Sequence, residues 1–342
     1  MENDCDGGGN RYLSQIDLEK KPHLKSLFTG RTVVPAGVCS IRVSSGEPPW
    51  IVCPRRLLVL GKKGRDSKNT RQPQVLDKLL TLCDEKSGTR LGVWSEVKVQ
   101  YSENVNEIAK SFDYTFDYVV MPLRSLRQDQ MEKVFQKPWK RIRRILELGG
   151  YQIFQEAGTD HVRDFPDPDG RPTIVEIMTS STSGGNQRKR TTIPLAFEDA
   201  VSGNIHEAPG INYRQVWARM VSQLVVKSEV AIGWGGRTVW VLQDVLIDYI
   251  SKTTALDIKA FEAMLPSEVN ILAFAYGKSI EIEGLQNLCD GKLYAGPISN
   301  TKTEFRGMGS FQDIIRAPLQ PPIQRLLEVL SINPPVGTII AP

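Results

Sequence analysis

The feature that most constrains this chain is the run Thr159-Asp160-His-Val-Arg-Asp164-Phe165-Pro166-Asp-Pro-Asp-Gly170-Arg-Pro-Thr-Ile-Val-Glu176-Ile-Met178. Its centre, Pro-Asp-Pro-Asp-Gly, collects the residues that set turns: proline with a fixed φ, aspartate that bonds its own backbone, glycine that tolerates positive φ. The flanks read as extended arms, so the run predicts a β-hairpin. Mirror counting from a turn near Asp167-Pro168 places Asp160 across from Glu176 and turns Asp164 toward Pro172. Two carboxylates at one hairpin end can hold a hard cation such as Mg2+. Such an ion activates water and offsets charge building on a phosphodiester. Asp-rich turns also join strands in proteins that catalyse nothing.

Other chemistries have little to work with. The three histidines, His23, His161 and His206, are a small pool for a multi-histidine metal site or a serine hydrolase. Five scattered cysteines fit reduced thiols rather than a disulfide framework. The first ten residues lack the basic and apolar regions of a signal peptide, and no apolar run is long enough to span a bilayer, so an intracellular protein is expected. Net charge is +4, but the cations cluster: Arg55 to Arg71 holds seven against Asp66, Lys137 to Arg144 forms a second group, and Arg188, Lys189 and Arg190 a third. Separated basic clusters suit a polyanion, although each is also what a solvated loop or helix face looks like.

The remaining pattern is mixed α/β. Ile41 to Pro54 reads as a short strand pair, Gly61 to Gln74 as an exposed loop, and Leu91–Tyr101 and Tyr114–Met121 as strands. Pro138 opens an amphipathic helix that Gly149-Gly150 ends. Tyr151 to Gln155 is a strand, Tyr213 to Val225 a helix, Thr238–Leu242 a buried strand and Asp244–Ile250 a helix. Strands at Val269–Ala275 and Ile280–Glu283 and a last helix, Ile323–Leu330, complete the reading.

The carboxylate spacing resembles the PD-(D/E)XK nuclease superfamily, in which an Asp opens one strand and Glu-x-Lys ends the next. Met178 stands where that lysine belongs, and a plain core role suits it; Gln155, Glu156, Gln187, Lys189 and Glu198 are candidates for the missing group. Further motifs, in order, are Gly37-Val-Cys39, Trp50-Ile-Val-Cys53-Pro54-Arg-Arg56, Phe154-Gln155-Glu156 and Val175-Glu176-Ile177. Together with the helix from Tyr213 and the segment Val239 to Tyr249, they resemble the NotI type of type II restriction endonuclease over residues 28 to 250.

That resemblance implies a restriction-endonuclease-like α/β core with a mixed central sheet flanked by helices. It implies Asp160 and Glu176 as Mg2+ ligands, with Gln155 and Glu156 as further catalytic candidates on the preceding strand. The family type also holds an iron in four cysteines. Only Cys39 and Cys53 match and no CxxC pair is present, which points to remnants of a lost site; Cys5 or Cys83 would have to complete one. The expected organisation is an N-terminal arm (1–27, partly disordered), a DNA-recognition region (28–135), a catalytic core (136–290) and a C-terminal extension packing on it (291–342). The expected activity is sequence-specific cleavage of double-stranded DNA by a homodimer in a prokaryotic cytoplasm, with Lys62, Lys63, Arg65, Arg188, Lys189 and Arg190 on the DNA. A nuclease-like fold that binds DNA without cutting is the alternative, and Met178 supports it.

Overall fold

The computed structural model describes residues 15–35, 40–44, 47–60, 72–105, 107–253, 269–276, 293–297 and 320–342. Two small antiparallel pairs come first, β1 (Gln15–Asp17) with β2 (Val33–Pro35), and β3 (Ser40–Ile41) with β4 (Trp50–Ile51). Helices α1 (Pro54–Leu57) and α2 (Gln72–Cys83) lead into β5 (Arg90–Val105) and β6 (Ile108–Arg127), an antiparallel ribbon paired from Leu91↔Pro122 to Val105↔Ile108. Then follow α3 (Gln128–Phe135), α4 (Trp139–Leu148), β7 (Ile153–Glu156), β8 (Thr159–Pro166) and β9 (Thr173–Ile177). The later elements are α5 (Ile193–Val201), α6 (Tyr213–Gly233), β10 (Arg237–Gln243), α7 (Asp244–Thr253), β11 (Val269–Phe274), β12 (Leu293–Pro297), α8 (Ile323–Ser331) and β13 (Gly337–Ile340).

The chain is α/β, with a mixed central sheet flanked by helices. The sheet runs β12-β11-β10-β9-β6-β5-β13, with β8 also on β6 and β7 on β8. Strands β9, β10 and β11 are parallel neighbours, and the other pairings are antiparallel. On one side, α4 (Trp139, Ile142, Leu146), α6 (Val226, Val230, Ala231) and α8 (Leu326, Leu327, Leu330) share one apolar cluster with Phe116, Val119 and Ile174. On the other, α2 packs Leu79 and Leu82 against Val175, Val239 and Val241. β10 is buried along its whole length, as a parallel strand covered on both faces must be. The sheet takes strands from both sides of the 135/136 boundary, and α8 and β13 join it from the C-terminal segment. Among the described residues no helix is long and apolar enough to cross a membrane.

The expected hairpin does not form. β8 and β9 both run antiparallel to β6, β9 against Tyr118–Val120 and β8 against Leu123–Arg127, so they point the same way along one edge. Pro-Asp-Pro-Asp-Gly is therefore an excursion in an interrupted strand, not a reversal. Its turn chemistry is local and intact: the Asp167 N–H donates to the Pro122 carbonyl, and the Gly170 N–H to that of Asp167. The direction is set by the long edge of β6, which offers both arms more ladder than they offer each other. On β6, Arg127 faces His161 and Tyr118 faces Val175. At ~3.3 Å per residue, Asp160 and Glu176 are on the order of 30 Å apart.

Candidate active site

Asp160 is a structural carboxylate. It is buried on β8 under α4, where one oxygen accepts from the Trp139 indole at 2.8 Å and from Arg143 at 3.0 Å. The Trp139 bond, with smaller help from Gln155 and Arg143, holds its carboxyl below the usual range. Gln155 and Glu156 lie on β7 beside it, Gln155 opposite Asp160 and Glu156 opposite Thr159, so none of the three approaches Glu176. The assignment of Asp160 to a shared metal site fails on distance. Asp160→Asn should instead cost stability, about 1–3 kcal/mol for disturbed partners in a buried setting, while leaving any cleavage within a few-fold. Urea titration alongside a plasmid assay checks both. Asp164 is also spoken for, by Arg90 at 2.7 Å.

Around Glu176 a different set assembles. The β6–β9 ladder ends at Tyr118↔Val175, and beyond it side chains replace backbone partners: Ile177 N–H donates to Asp117 Oδ2 at 2.8 Å, and Asp117 N–H to Glu176 Oε1 at 3.4 Å. Each carboxylate is thus braced by the other strand. Lys227, from the buried side of α6, reaches Glu176 Oε2 at 2.5 Å, with both side chains buried. Its ammonium lies 5.7 Å from the centre of the Phe116 ring.

Glu96 extends the row onto β5. It and Asp117 lie between the pairs Ser95↔Tyr118 and Val97↔Phe116. A regular strand would send Trp94 and Val97 to opposite faces, yet both enter the same cluster, as do Phe116 and Val119. The pleat therefore switches face on both strands at this level, and Glu96 absorbs the switch with a left-handed φ of 52°. That conformation is uncommon and costly for a glutamate. The row grades from exposed Glu96 through half-buried Asp117 to buried Glu176.

Burial, with Asp117 second, raises the Glu176 carboxyl to about 8 against the opposing pull of Lys227. Burial and then Asp117 also raise Glu96, again opposed by Lys227. The row holds more carboxylate than Lys227 can neutralise. Ionising Glu176 works against the fold, so its contribution is fully present below the unfolded value of 4.5 and is lost as pH rises toward about 8. In EDTA, the wild type should lose stability relative to Glu176→Gln between about pH 5 and pH 8, by no more than a few kcal/mol. Parallel pH profiles for the two proteins would show that Glu176 ionises normally.

Comparison with protein-family models, curated proteins and solved structures returned no match. The site must be judged on its own geometry. Among the described residues no group of three or more His, Cys, Asp or Glu is arranged to hold a metal ion. What is present is a braced pair of hard oxygen donors, Asp117 and Glu176, with surplus negative charge, and this donor set fits Mg2+.

The other sequence-predicted residues lie elsewhere. Met178 is buried against Val216, Met220 and Trp240, an ordinary core position. Glu198 binds Lys21 and faces His23, tying the N-terminal strands to α5. Arg190 forms a two-bond ion pair with Asp199 at 2.7 and 2.8 Å, while Arg188 and Lys189 are exposed. Lys62, Lys63, Arg65, Cys5 and Cys39 lie outside the described residues. Cys53 is buried, and burial pushes the Cys83 thiol to about 12, which makes it a poor metal ligand.

Proposed function

We propose that the protein is a magnesium-dependent DNA endonuclease, and within that class a type II restriction enzyme cutting duplex DNA at a specific sequence. The observation that carries this reading is the braced pair Asp117 and Glu176 on neighbouring strands with the Lys227 ammonium on Glu176. Glu176 keeps the place that the PD-(D/E)XK resemblance gave it. Asp117 takes the part expected of Asp160, and Lys227 brings from a helix the ammonium absent at Met178. The mixed sheet with helices on both faces is the setting that a restriction-endonuclease-like core provides.

Asp117 and Glu176 would hold Mg2+, which when bound lowers the pKa of water and offsets charge on a phosphodiester. The chain's own residues do the positioning. Backbone donors from each strand fix the carboxylates, and Lys227 orients Glu176 and keeps a positive charge beside the row, where charge develops during phosphodiester cleavage. A palindromic site would call for a two-fold homodimer, acting where a prokaryotic cell keeps its DNA, in the cytoplasm.

Incubation of supercoiled plasmids of varied sequence with Mg2+ should give nicked and linear products that EDTA abolishes. Plasmids that are bound yet stay intact with Mg2+ and Mn2+ would support the alternative, a nuclease-like DNA-binding protein. One observation favours that alternative: Lys227 already occupies an oxygen of Glu176.

A further inference from the structure

We infer that the outward face of α4 is a contact surface for the backbone of duplex DNA, standing about one helical turn away from the carboxylate row. The inference rests on the nuclease reading and extends it to the path of the substrate.

Helix α4 has two unlike sides. Trp139, Ile142 and Leu146 are buried, and the opposite side carries Lys140, Arg141, Arg143 and Arg144. Arg143 is committed, with Nε on Glu147 at 2.8 Å and a terminal nitrogen on Asp160 at 3.0 Å. The side chains of Lys140, Arg141 and Arg144 are exposed and make no hydrogen bond or ion pair with any described residue. Spacings of three and four residues gather them into one patch, with Cβ atoms about 5–6 Å apart. Like charges so placed repel, and Glu147, the one acid of the helix, is occupied by Arg143. The patch lacks the interleaved acids that let a solvated helix face neutralise itself. A partner with closely repeated negative charges supplies what the helix lacks, and the duplex backbone is such a partner.

Two further observations fix the patch in space. Asp160 accepts from both Trp139 and Arg143, so the helix is pinned to β8 and its cations project from a rigid element. Helices α4 and α6 bury their apolar sides in the same cluster, which puts α4 on the same side of the sheet as Lys227. The span along β6 from Asp160 to Glu176, on the order of 30 Å, approaches the 34–36 Å of one duplex turn.

The test compares the wild type with Lys140→Gln/Arg141→Gln/Arg144→Gln, and with a control that removes three exposed cations elsewhere, Lys25→Gln/Lys78→Gln/Lys86→Gln. Binding of a duplex of about 40 base pairs is measured in EDTA from about 50 to 200 mM salt, with thermal melts to verify folding. Loss of three phosphate contacts lowers the slope of log K against log salt by ~2.7, so the α4 variant should lose about 40-fold less affinity over that range than the wild type. The control should keep the wild-type slope. A folded α4 variant with the control's slope overturns the inference, and leaves the nuclease reading intact if plasmids are still cut. Wild-type protein that binds no duplex at any salt overturns both. If the α4 substitutions abolish binding to phosphatidylserine vesicles and leave duplex binding unchanged, the patch serves a membrane surface and the inference is wrong.

Discussion

Asp117→Asn and Glu176→Gln should each lower magnesium-dependent cleavage roughly a thousandfold, equivalent to about 4 kcal/mol of lost transition-state stabilisation. Each substitution keeps the side-chain shape and an acceptor oxygen. The bracing bonds from Ile177 N–H and Asp117 N–H can therefore persist while the charge is removed. Duplex binding in EDTA should be retained, because relieving surplus negative charge does not oppose a polyanion. Asp160→Asn is the informative comparison, since it alters the carboxylate that the sequence pairs with Glu176. Single-turnover cleavage by the three proteins decides the matter: loss of cutting in folded Asp160→Asn, with Asp117→Asn unaffected, would move the site to β8 and sink the present assignment.

The second large effect concerns Lys227. Above about pH 8, where Glu176 is ionised, removing one partner of the buried ion pair leaves the other uncompensated and costs about 3–5 kcal/mol. Lys227→Met should therefore be strongly destabilised there and much less so at lower pH, where the carboxyl takes up a proton. Glu176 would then be buried beside Asp117 with no cation. Two readouts separate catalysis from simple damage. Added Mg2+ should raise the melting temperature of Lys227→Met more than that of the wild type, because the ion supplies the missing charge. Cleavage should nevertheless stay low under conditions where the variant is folded. Lys227→Met/Glu176→Met should recover stability, since apolar replacement of a whole buried pair is often neutral or better. Wild-type cleavage rates in magnesium-stabilised Lys227→Met would reduce Lys227 to a packing role.

What could be read from the sequence was decided locally. The helix after Pro138, the buried strand ending at Leu242 and the helix from Ile323 carry periodicities that tertiary context reinforces. Glu176 was legible because a short motif surrounds it. Asp117 was not: Tyr114–Met121 reads correctly as a strand, but nothing near Asp117 tells that β9 lies beside it. Only the β6 edge, shared by β8 and β9, makes that choice. Lys227 did leave a signal. With Met220 and Ala231 it falls on the apolar stripe of α6, where a lysine is rarely buried unless paired. The strong turn signal misled for a related reason, since Pro-Asp-Pro-Asp-Gly specifies a bend but not what the chain does after it.

Strand β6 carries Asp117, the centre of the carboxylate row, near its middle and pairs at its far end with β8, the platform under α4, the two joined by continuous backbone held to β5 along most of its length. If the row cuts and α4 anchors as proposed, β6 is a ruler: the interval between the two is graduated in residues of one strand rather than left to a loop. Lengthening β5 and β6 together by two residues between these levels would preserve the pleat and move the anchor by ~7 Å, about two base-pair rises along a duplex.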